Sequence, residues 1–423
     1  MKSGLFLIRS LLTVFILTIS FQGAFGAAVS AGSFVQSEIS DRKSTLDTLD
    51  QYGGNPVHIT SRSGEPELDL QEPAAAMMPT MPDTNLMCNP AEWDRYPYYP
   101  AGTDIVFAQD EGQHRPYDTY PHEWWYANFH LTGASGRKYG AFVAFFKIAH
   151  MRLFAISDLE TGEYYRDVTF APIAMASDHY LNLLYVNVLY RQAWYNKQQS
   201  GALAPFEYRL EVAGRDRGPL SLTADMKALK APMMVGGNGL VKISDGWSYY
   251  TIHPRLAVAG TLRIAGRTEQ VTGTGWIDHQ WGKFLDPSMT WDWFALQLDD
   301  GREILVGDVW IDGVPFRSFS SGLNFYDEAC ALELLPDYRL TPLRTWTDPN
   351  GRTWVVEWRL EEPSRAMELH IVANFDQQVM DVLPSPLTYA HFWEGSCTVS
   401  GRIDGLPVTG KAYVELTHAT DGP

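Results

Sequence analysis

The stretch Gly273–Gly282, GTGWIDHQWG, places an adjacent acid and base, Asp278 and His279, between Trp276 and Trp281. Titratable groups enclosed by indole rings are typical of an apolar pocket that contains a few functional protons. Burial among aromatic side chains disfavours the charged form of a carboxyl group, which raises its pKa and makes it a candidate general acid. We therefore predict that Asp278 is a catalytic acid.

Similar residue types recur elsewhere in the chain, and Glu123 and Glu394 are further candidate acids on the same argument. The predicted catalytic residues are Asp278, His279, Glu123 and Tyr126. The predicted ligand-binding residues are Trp124, Trp125, Tyr250, Arg255, Trp276, Trp281, Trp293, Trp393 and Glu394. The structural alternative is that the carboxylates bond to backbone groups or pair with arginines such as Arg255, and that the tryptophans are core residues.

Side chains alternate between the two faces of a β-strand, which constrains this acid–base pair. In an extended Gly275–Trp281 segment, Asp278 shares a face with Trp276 and Gln280, and His279 lies on the other face. One of the pair should line a barrel lumen, and the other should face outward or towards a second domain. A Ser-His-Asp relay is disfavoured, because the pair is split and the sequence has no G-x-S-x-G nucleophile elbow.

The elements that would position these residues are short β-strands. From Pro90 onward, segments rich in aromatic and β-branched residues alternate with Gly- and Asp-containing turns such as Asp299-Asp300-Gly301. The best helical candidate, Leu181–Trp194, is ambiguous between helix and strand. The pattern predicts an all-β fold, with barrels favoured because closure removes exposed strand edges.

An internal repeat predicts two like domains. VTGTGWIDH at 271–279 matches VTGKAYVEL at 408–416, and WYANFHLTGASGR at 125–137 matches WFALQLDDGR at 293–302. We divide the core into domains at residues 89–285 and 286–423. The second copy retains an acid, Glu415, but has Leu416 at the position of the histidine, so we expect any special chemistry in the first copy.

The N-terminus has the three-part pattern of a signal peptide over residues 1–28: two basic residues, a short apolar run and small residues. Residues 29–88 lack hydrophobic periodicity and are predicted to be a linker or disordered arm. No later segment is apolar enough to span a membrane, so we expect a periplasmic or secreted protein. The net charge of −17 disfavours a nucleic-acid partner.

No cofactor or metal is predicted. The 11 histidines are scattered without an H-E-x-x-H motif, and we find no calcium loop and no glycine-rich phosphate motif. The three cysteines exclude a Cys-rich zinc site and permit one disulfide, whose pairing the sequence does not specify.

Several motifs together resemble the carotenoid 1,2-hydratase (CrtC) and AttH-like superfamily over residues 106–417. They are EWWY at 123–126, GWIDHQWG at 275–282, WDWF at 291–294, WEG at 393–395 and YVELT at 413–417. The resemblance implies two tandem lipocalin-like β-barrel domains and a lipophilic ligand, often terpenoid or polyketide. Members of this superfamily include a hydratase, Diels–Alder-type cyclases and exported proteins linked to ABC transporters.

The leading hypothesis is therefore an exported, cofactor-free hydratase, isomerase or cyclase that acts on an apolar small molecule. Asp278 would protonate an alkene, aromatic faces would stabilise the cation, and His279, Tyr126 or a water would complete the reaction. The first alternative is a non-catalytic lipid carrier or transporter accessory protein. The second is a carbohydrate-active or carbohydrate-binding protein, which would use exposed tryptophans and paired carboxylates.

Overall fold

The protein is almost entirely β-sheet in a computed structural model that describes residues 80–81, 85–243, 245–285, 288–316, 322–381 and 391–419. Within these ranges, helical structure is confined to α1 (Pro90–Trp93) and three single 3₁₀ turns. The all-β prediction is confirmed. The predicted signal peptide lies outside the described residues, as does the predicted arm except for residues 80–81 and 85–88.

The strands form two antiparallel, curled sheets. The first sheet has the order β4-β3-β2-β1-β13-β12-β9-β8-β7-β6-β5, with β10 and β11 also paired to β12. Its strands are β1 (His122–Gly133), β2 (Lys138–Phe146), β3 (Met151–Asp158), β4 (Glu163–Phe170), β5 (Ile173–Ala176), β6 (Asn182–Val186), β7 (Arg191–Gln199), β8 (Ala202–Arg215), β9 (Pro219–Ala228), β10 (Met233–Met234), β11 (Leu240–Ile243), β12 (Gly246–Ile264) and β13 (Arg267–Lys283).

The second sheet repeats this arrangement with fewer strands. Its order is β18-β17-β15-β14-β24-β23-β21-β20-β19, with β16 paired to β15 and β22 to β23. The strands are β14 (Met289–Leu298), β15 (Glu303–Ile311), β16 (Val314–Pro315), β17 (Leu323–Tyr326), β18 (Leu332–Leu335), β19 (Arg339–Thr347), β20 (Thr353–Glu362), β21 (Met367–Ala373), β22 (Val379–Asp381), β23 (His391–Ile403) and β24 (Leu406–Leu416).

The helical interpretation of Leu181–Trp194 is wrong, because this segment contains β6 and the start of β7. In β6, Leu183 and Tyr185 are buried while the residues between and beside them are partly or fully exposed. That period of two is the burial pattern of a strand with one face on the core.

Equivalent strand pairs stand at the centre of each sheet, and their register relates the two copies. In the first sheet Tyr126 of β1 pairs with Asp278 of β13. In the second sheet Trp293 of β14 pairs with Glu415 of β24. Asp278 and Glu415 therefore occupy equivalent positions, as the repeated VTG motif indicates. Trp293 is equivalent to Tyr126, so the W-Y-A and W-F-A motifs are offset by one residue.

Three apolar clusters hold these sheets. One lies inside the first sheet and contains Trp125 and Ile277, and a second lies inside the second sheet and contains Phe294 and Val414. The third, which we call the inter-sheet core, contains residues of both sheets, including Trp276 and Tyr413. Alternation along β1, β13, β14 and β24 thus sends one face to the interior of a sheet and the other to the inter-sheet core.

The two sheets approach each other closely at the inter-sheet core. A Cβ atom added to Gly140 of β2 would lie 2.7 Å from Cβ of Ser396 in β23. Only glycine permits that separation, because real Cβ atoms do not come so close. The side chain of Ser157 in β3 also donates a hydrogen bond of 2.8 Å to Gln378. The sheets are therefore in direct side-chain contact.

Both sheets, apart from Ala202 at the start of β8, lie in one compact unit, Met78–Gln199 with Leu203–Pro423. The predicted domain division at residue 285 falls between β13 and β14 and stays a prediction. A disulfide joins Cys88, before the first sheet, to Cys330, between β17 and β18, and leaves Cys397 buried as a free thiol. Across the described ranges, no helix combines the length and apolar character that a membrane span requires.

Candidate functional site

A cavity of about 180 Å³ lies between the two sheets. It is bounded mainly by aromatic and aliphatic side chains, and its polar groups come from both copies of the repeat. The lining residues are Trp124, Tyr126, Ala144, Phe146, Ile243, Tyr250, Asp278, Gln280, Phe284, Leu285, Met289, Trp291, Trp293, Val309 and Glu415. An apolar chamber with a few polar groups is the usual form of a small-molecule site.

Asp278 reaches this cavity from β13 and is held there by two donors. The Tyr250 hydroxyl donates to Oδ2 and the Trp276 indole N–H donates to Oδ1. Trp293 in turn donates to the Tyr250 hydroxyl over 2.9 Å. This chain of donors fixes the carboxyl group, because each member is packed in the inter-sheet core.

Glu415 enters the same cavity from β24 and accepts a hydrogen bond of 3.0 Å from the Trp291 indole N–H. Burial raises the pKa of Glu415 to about 7, against the opposing effect of that hydrogen bond. Burial also raises the pKa of Asp278 to about 7, against its two hydrogen bonds and with a further contribution from the charge of Glu415. Both carboxyl groups therefore have pKa values near neutral pH, and burial is the main cause for each.

A third acid, Glu394, lies behind the cavity and is fully buried. It is directly opposite Glu415 in the pairing of β23 with β24. The Tyr126 hydroxyl, which lines the cavity, donates to Glu394 Oε1 over 2.7 Å. Burial and the charges of Glu415 and Asp278 raise the pKa of Glu394 well above its usual value. Glu394 is therefore linked to the cavity through Tyr126, in surroundings that favour its neutral form.

His279 points away from the cavity, as strand alternation requires. Its Nε2 lies 3.2 Å from Glu123 Oε1, and its ring stacks on Trp125 at 4.8 Å between ring centres. His114, from the segment before β1, contacts the same oxygen of Glu123 through Nδ1 at 2.7 Å. Asp278 and His279 thus belong to separate groups on opposite faces of β13.

The electrostatics of this second group differ from those of the cavity. Burial opposes ionisation of Glu123, but the hydrogen bonds and charges of His114 and His279 outweigh it and lower the pKa of Glu123 to about 2. Burial lowers the pKa of His279, with Glu123 opposing that shift. Among the residues with described positions, His114, Glu123 and His279 are close enough together to hold a metal ion.

The structure gathers some of the predicted site residues at the cavity and disperses the others. Five line it: Trp124, Tyr126, Tyr250, Asp278 and Trp293. Trp276 and Glu394 bond to lining residues from behind. Glu123, Trp125, His279 and Trp281 lie on the interior face of the first sheet, around the second group. A single catalytic set of Asp278, His279, Glu123 and Tyr126 is therefore not assembled.

Arg255 and Trp393 lie elsewhere. The Arg255 guanidinium donates to the Glu303 carboxylate and, over 2.7 Å, to the Leu298 carbonyl, in a network that also contains Lys230. Trp393 is buried in the core of the second sheet and donates to the Asp376 carbonyl over 2.7 Å. Neither side chain is among those that line the cavity.

Glu415, Trp291 and Gln280 are not among the predicted site residues, although all three line the cavity. Special chemistry is predicted for the first copy, whereas the cavity takes one carboxyl group from each copy. The internal repeat could have identified Glu415 as a site residue, because Glu415 matches Asp278 in both sequence and register. No sequence pattern indicates a role for His114, because it lies in a loop whose path to Glu123 is set by the fold.

Known proteins support the lipocalin-like assignment. The structure of an AttH protein from Nitrosomonas europaea is 26% identical, with a TM-score of 0.62, and the match covers 75% of this chain and 98% of that one. Kievitone hydratase from Nectria haematococca is 18% identical, with a TM-score of 0.61, and the match covers 80% of this chain and 98% of that one. The latter likeness concerns the fold alone.

Comparison with curated proteins returned no significant match. The predicted fold, two tandem lipocalin-like β-barrel domains, is confirmed by the two curled sheets and by the solved structures that share them. The AttH-like family model matches residues 98–419, which include all strands of both sheets. The chain therefore belongs to the AttH-like family.

Proposed function

We propose that the protein binds an apolar small molecule in the inter-sheet cavity and catalyses a cofactor-free addition, elimination or isomerisation at a carbon–carbon double bond. The observation that carries this proposal is the presence of two carboxyl groups, buried Asp278 and partly buried Glu415, whose pKa values are raised to about 7 in a mainly apolar cavity. Such a pair supplies an acid and a base at the same pH.

In the hydration direction, protonated Asp278 donates its proton to one alkene carbon, and the π electrons form the new C–H bond. The cation that results on the other carbon is stabilised by the faces of the aromatic residues that line the cavity, among them Trp291 and Trp293. A water oxygen then forms the C–O bond and loses a proton to ionised Glu415. Proton exchange with solvent restores both groups.

Isomerisation uses the same two groups. After the same protonation by Asp278, Glu415 removes a proton from a neighbouring carbon instead of from water, and the C–H electrons form a double bond in a new position. Tyr250 and Trp276 hold the Asp278 carboxyl group in place for either reaction. The fold is shared with a kievitone hydratase, but the proposal rests on the residues of this chain.

The test begins with native mass spectrometry of protein isolated from its own host, to identify any retained organic molecule. That molecule, with related alkenes, is then incubated with wild-type protein in D₂O and in H₂¹⁸O. We expect one carbon-bound deuterium, and ¹⁸O if water is added, and we expect Asp278→Asn to abolish this labelling. Labelling that persists in a folded Asp278→Asn protein would refute the assignment of the acid.

A non-catalytic carrier is the second candidate, because the lining is mostly apolar and would hold a lipid without reaction. It predicts that wild type and Asp278→Asn retain the same molecule and that neither labels it. A transporter partner belongs to this second candidate.

Export remains a proposal, supported by the signal pattern at residues 1–28 and by the disulfide between Cys88 and Cys330, which suits an oxidising compartment. Fractionation of host cells, with N-terminal sequencing of the protein, tests it. An intact N-terminus on cytoplasmic protein would oppose it.

A further inference from the structure

The group formed by His114, Glu123 and His279 has no part in the chemistry proposed for the cavity. Its three potential ligand atoms lie within 4.8 Å of one another, and both imidazoles approach the same oxygen, Glu123 Oε1. We propose that these three residues form a binding site for a divalent transition-metal ion of the zinc type. Such a site would bind the ion whether or not the cavity is catalytic.

The ligand set matches the preference of this class of ion. Two imidazole nitrogens and one carboxylate oxygen are a known zinc ligand set, and they leave a fourth position for water. Bonds of about 2.0–2.1 Å separate tetrahedral ligands by about 3.3 Å. His279 Nε2 is already 3.2 Å from Glu123 Oε1, and His114 Nδ1 is 2.7 Å from it. An ion would therefore widen the second contact slightly and draw the two imidazole nitrogens, which lie within 4.8 Å of each other, towards the same separation.

The surroundings orient Glu123 for this role. Lys147 Nζ lies 3.3 Å from Oε2, and the His114 backbone N–H donates to both carboxylate oxygens over 3.1 Å. Lys147 thus pairs with Oε2 of Glu123, while both imidazoles contact Oε1. The Lys147 ammonium is itself anchored by the carbonyl oxygens of His114 and Tyr120. Glu123 is therefore set to bind an ion through one oxygen.

The imidazoles are also held in place. His114 Nε2 lies 3.3 Å from Asp110 Oδ1, which is the carboxylate–histidine contact that commonly supports a metal-bound imidazole. The His114 ring stacks on Trp281 at 4.2 Å with an angle of 7° between the planes. His279 Nδ1 has no hydrogen-bond partner, so the ring of His279 is fixed by stacking on Trp125 and by a tilted contact with Trp281 instead.

An ion can reach the group from outside, because the His114 side chain is 13% exposed whereas that of Glu123 is completely buried. The metal-free alternative is a His–Glu–His hydrogen-bonded network with the same contacts. The metal site and the metal-free network predict different results when a metal ion is added, and a titration distinguishes them.

The experiment uses the full chain without a histidine tag, freed of metal by dialysis against a chelator. Calorimetric titration with ZnCl₂ should show one bound ion, and titration with CoCl₂ should produce the visible absorption of nitrogen-ligated Co²⁺. We expect His279→Gln and Glu123→Gln to lower zinc affinity at least about tenfold, and Asp110→Asn to lower it by about 10- to 100-fold through His114.

Two controls accompany these variants. His370→Gln removes an exposed histidine that pairs with Glu357 at 2.7 Å in the second sheet and should leave zinc affinity unchanged. Asp278→Asn, on the opposite face of β13, should also leave it unchanged. No zinc heat and no cobalt absorption with the wild-type protein would overturn the proposal, whatever the variants do. Zinc binding of equal affinity in folded Glu123→Gln and His279→Gln proteins would overturn it too.

Discussion

Replacement of Asp278 by asparagine should change how the stability of the protein depends on pH. The pKa of Asp278 rises from 3.8 to about 7 on folding, because burial disfavours its charged form. The folded protein therefore binds more protons at this group than the unfolded chain does between those two pH values. Raising the pH through that window must lower the free energy of unfolding, and the Asp278→Asn substitution would remove this loss.

The magnitude follows from the two pKa values. Linkage gives a cost of about 2 kcal/mol near pH 5 and about 4 kcal/mol near pH 8. Between those pH values, wild type should lose about 2–3 kcal/mol more unfolding free energy than Asp278→Asn does. The charge of Asp278 also helps to raise the pKa of Glu394, so the substitution should lower the pKa of Glu394 as well. This secondary effect also weakens the pH dependence of stability in the variant.

The assay is urea unfolding followed by tryptophan fluorescence near pH 5 and near pH 8. Any pH-independent cost of the substitution, such as a weakened bond to Trp276, cancels when the two pH values are compared. Asp118→Asn is the matched control, since Asp118 is exposed and should not alter the pH dependence. Equal pH dependence in wild type and Asp278→Asn would refute the idea that a buried carboxyl group titrates near neutral pH.

Three further perturbations test other parts of the molecule. Tyr250→Phe removes a hydrogen bond that lowers the pKa of Asp278, so ¹³C NMR of the carboxyl group should show that pKa raised. Lys230→Met removes the ammonium 2.6 Å from buried Glu303 and should cost about 3 kcal/mol in urea unfolding. Cys88→Ser opens a cross-link over 242 residues and should cost about 2–4 kcal/mol in the same assay.

Each of these has a matched comparison. An unchanged Asp278 titration in Tyr250→Phe would contradict the role given to that hydroxyl. Lys227→Met breaks a surface pair with Glu207 and should cost less than about 1 kcal/mol, so an equal loss for both lysine variants would contradict the burial argument. Wild type in reducing agent should match Cys88→Ser, and a large remaining difference would assign the loss to something other than the cross-link.

The fold was predictable because its determinants are local. Alternation of buried and exposed residues, as in β8 with Phe206 and Tyr208 buried between partly exposed neighbours, follows from the strand period alone. The separation of Asp278 from His279 follows from the same rule. The disulfide partner of Cys88 was not predictable, because Cys330 lies 242 residues away in the sequence and no local pattern indicates their contact.

The location of the cavity could not be deduced from the sequence, because it depends on how two curled sheets pack against each other. Tryptophans illustrate the difficulty. Trp124 lines the cavity whereas its neighbour Trp125 lies in the first core, and the sequence gives both the same chemical character. Strand alternation separates such neighbours but does not say which face meets the other sheet.

The internal repeat gives Asp278, the acid of GTGWIDHQWG, a counterpart in the second copy. Asp278 and Glu415 occupy equivalent positions in the two copies, and their neighbours Ile277 and Val414 point into the two apolar cores. Strand alternation therefore directs both acids to the inter-sheet side, where packing of the sheets brings them to one cavity. A duplicated barrel thus gains a two-carboxyl site that a single barrel would lack. His279, on the inward face, was free to join Glu123 and His114 in a group that Leu416 excludes from the second copy.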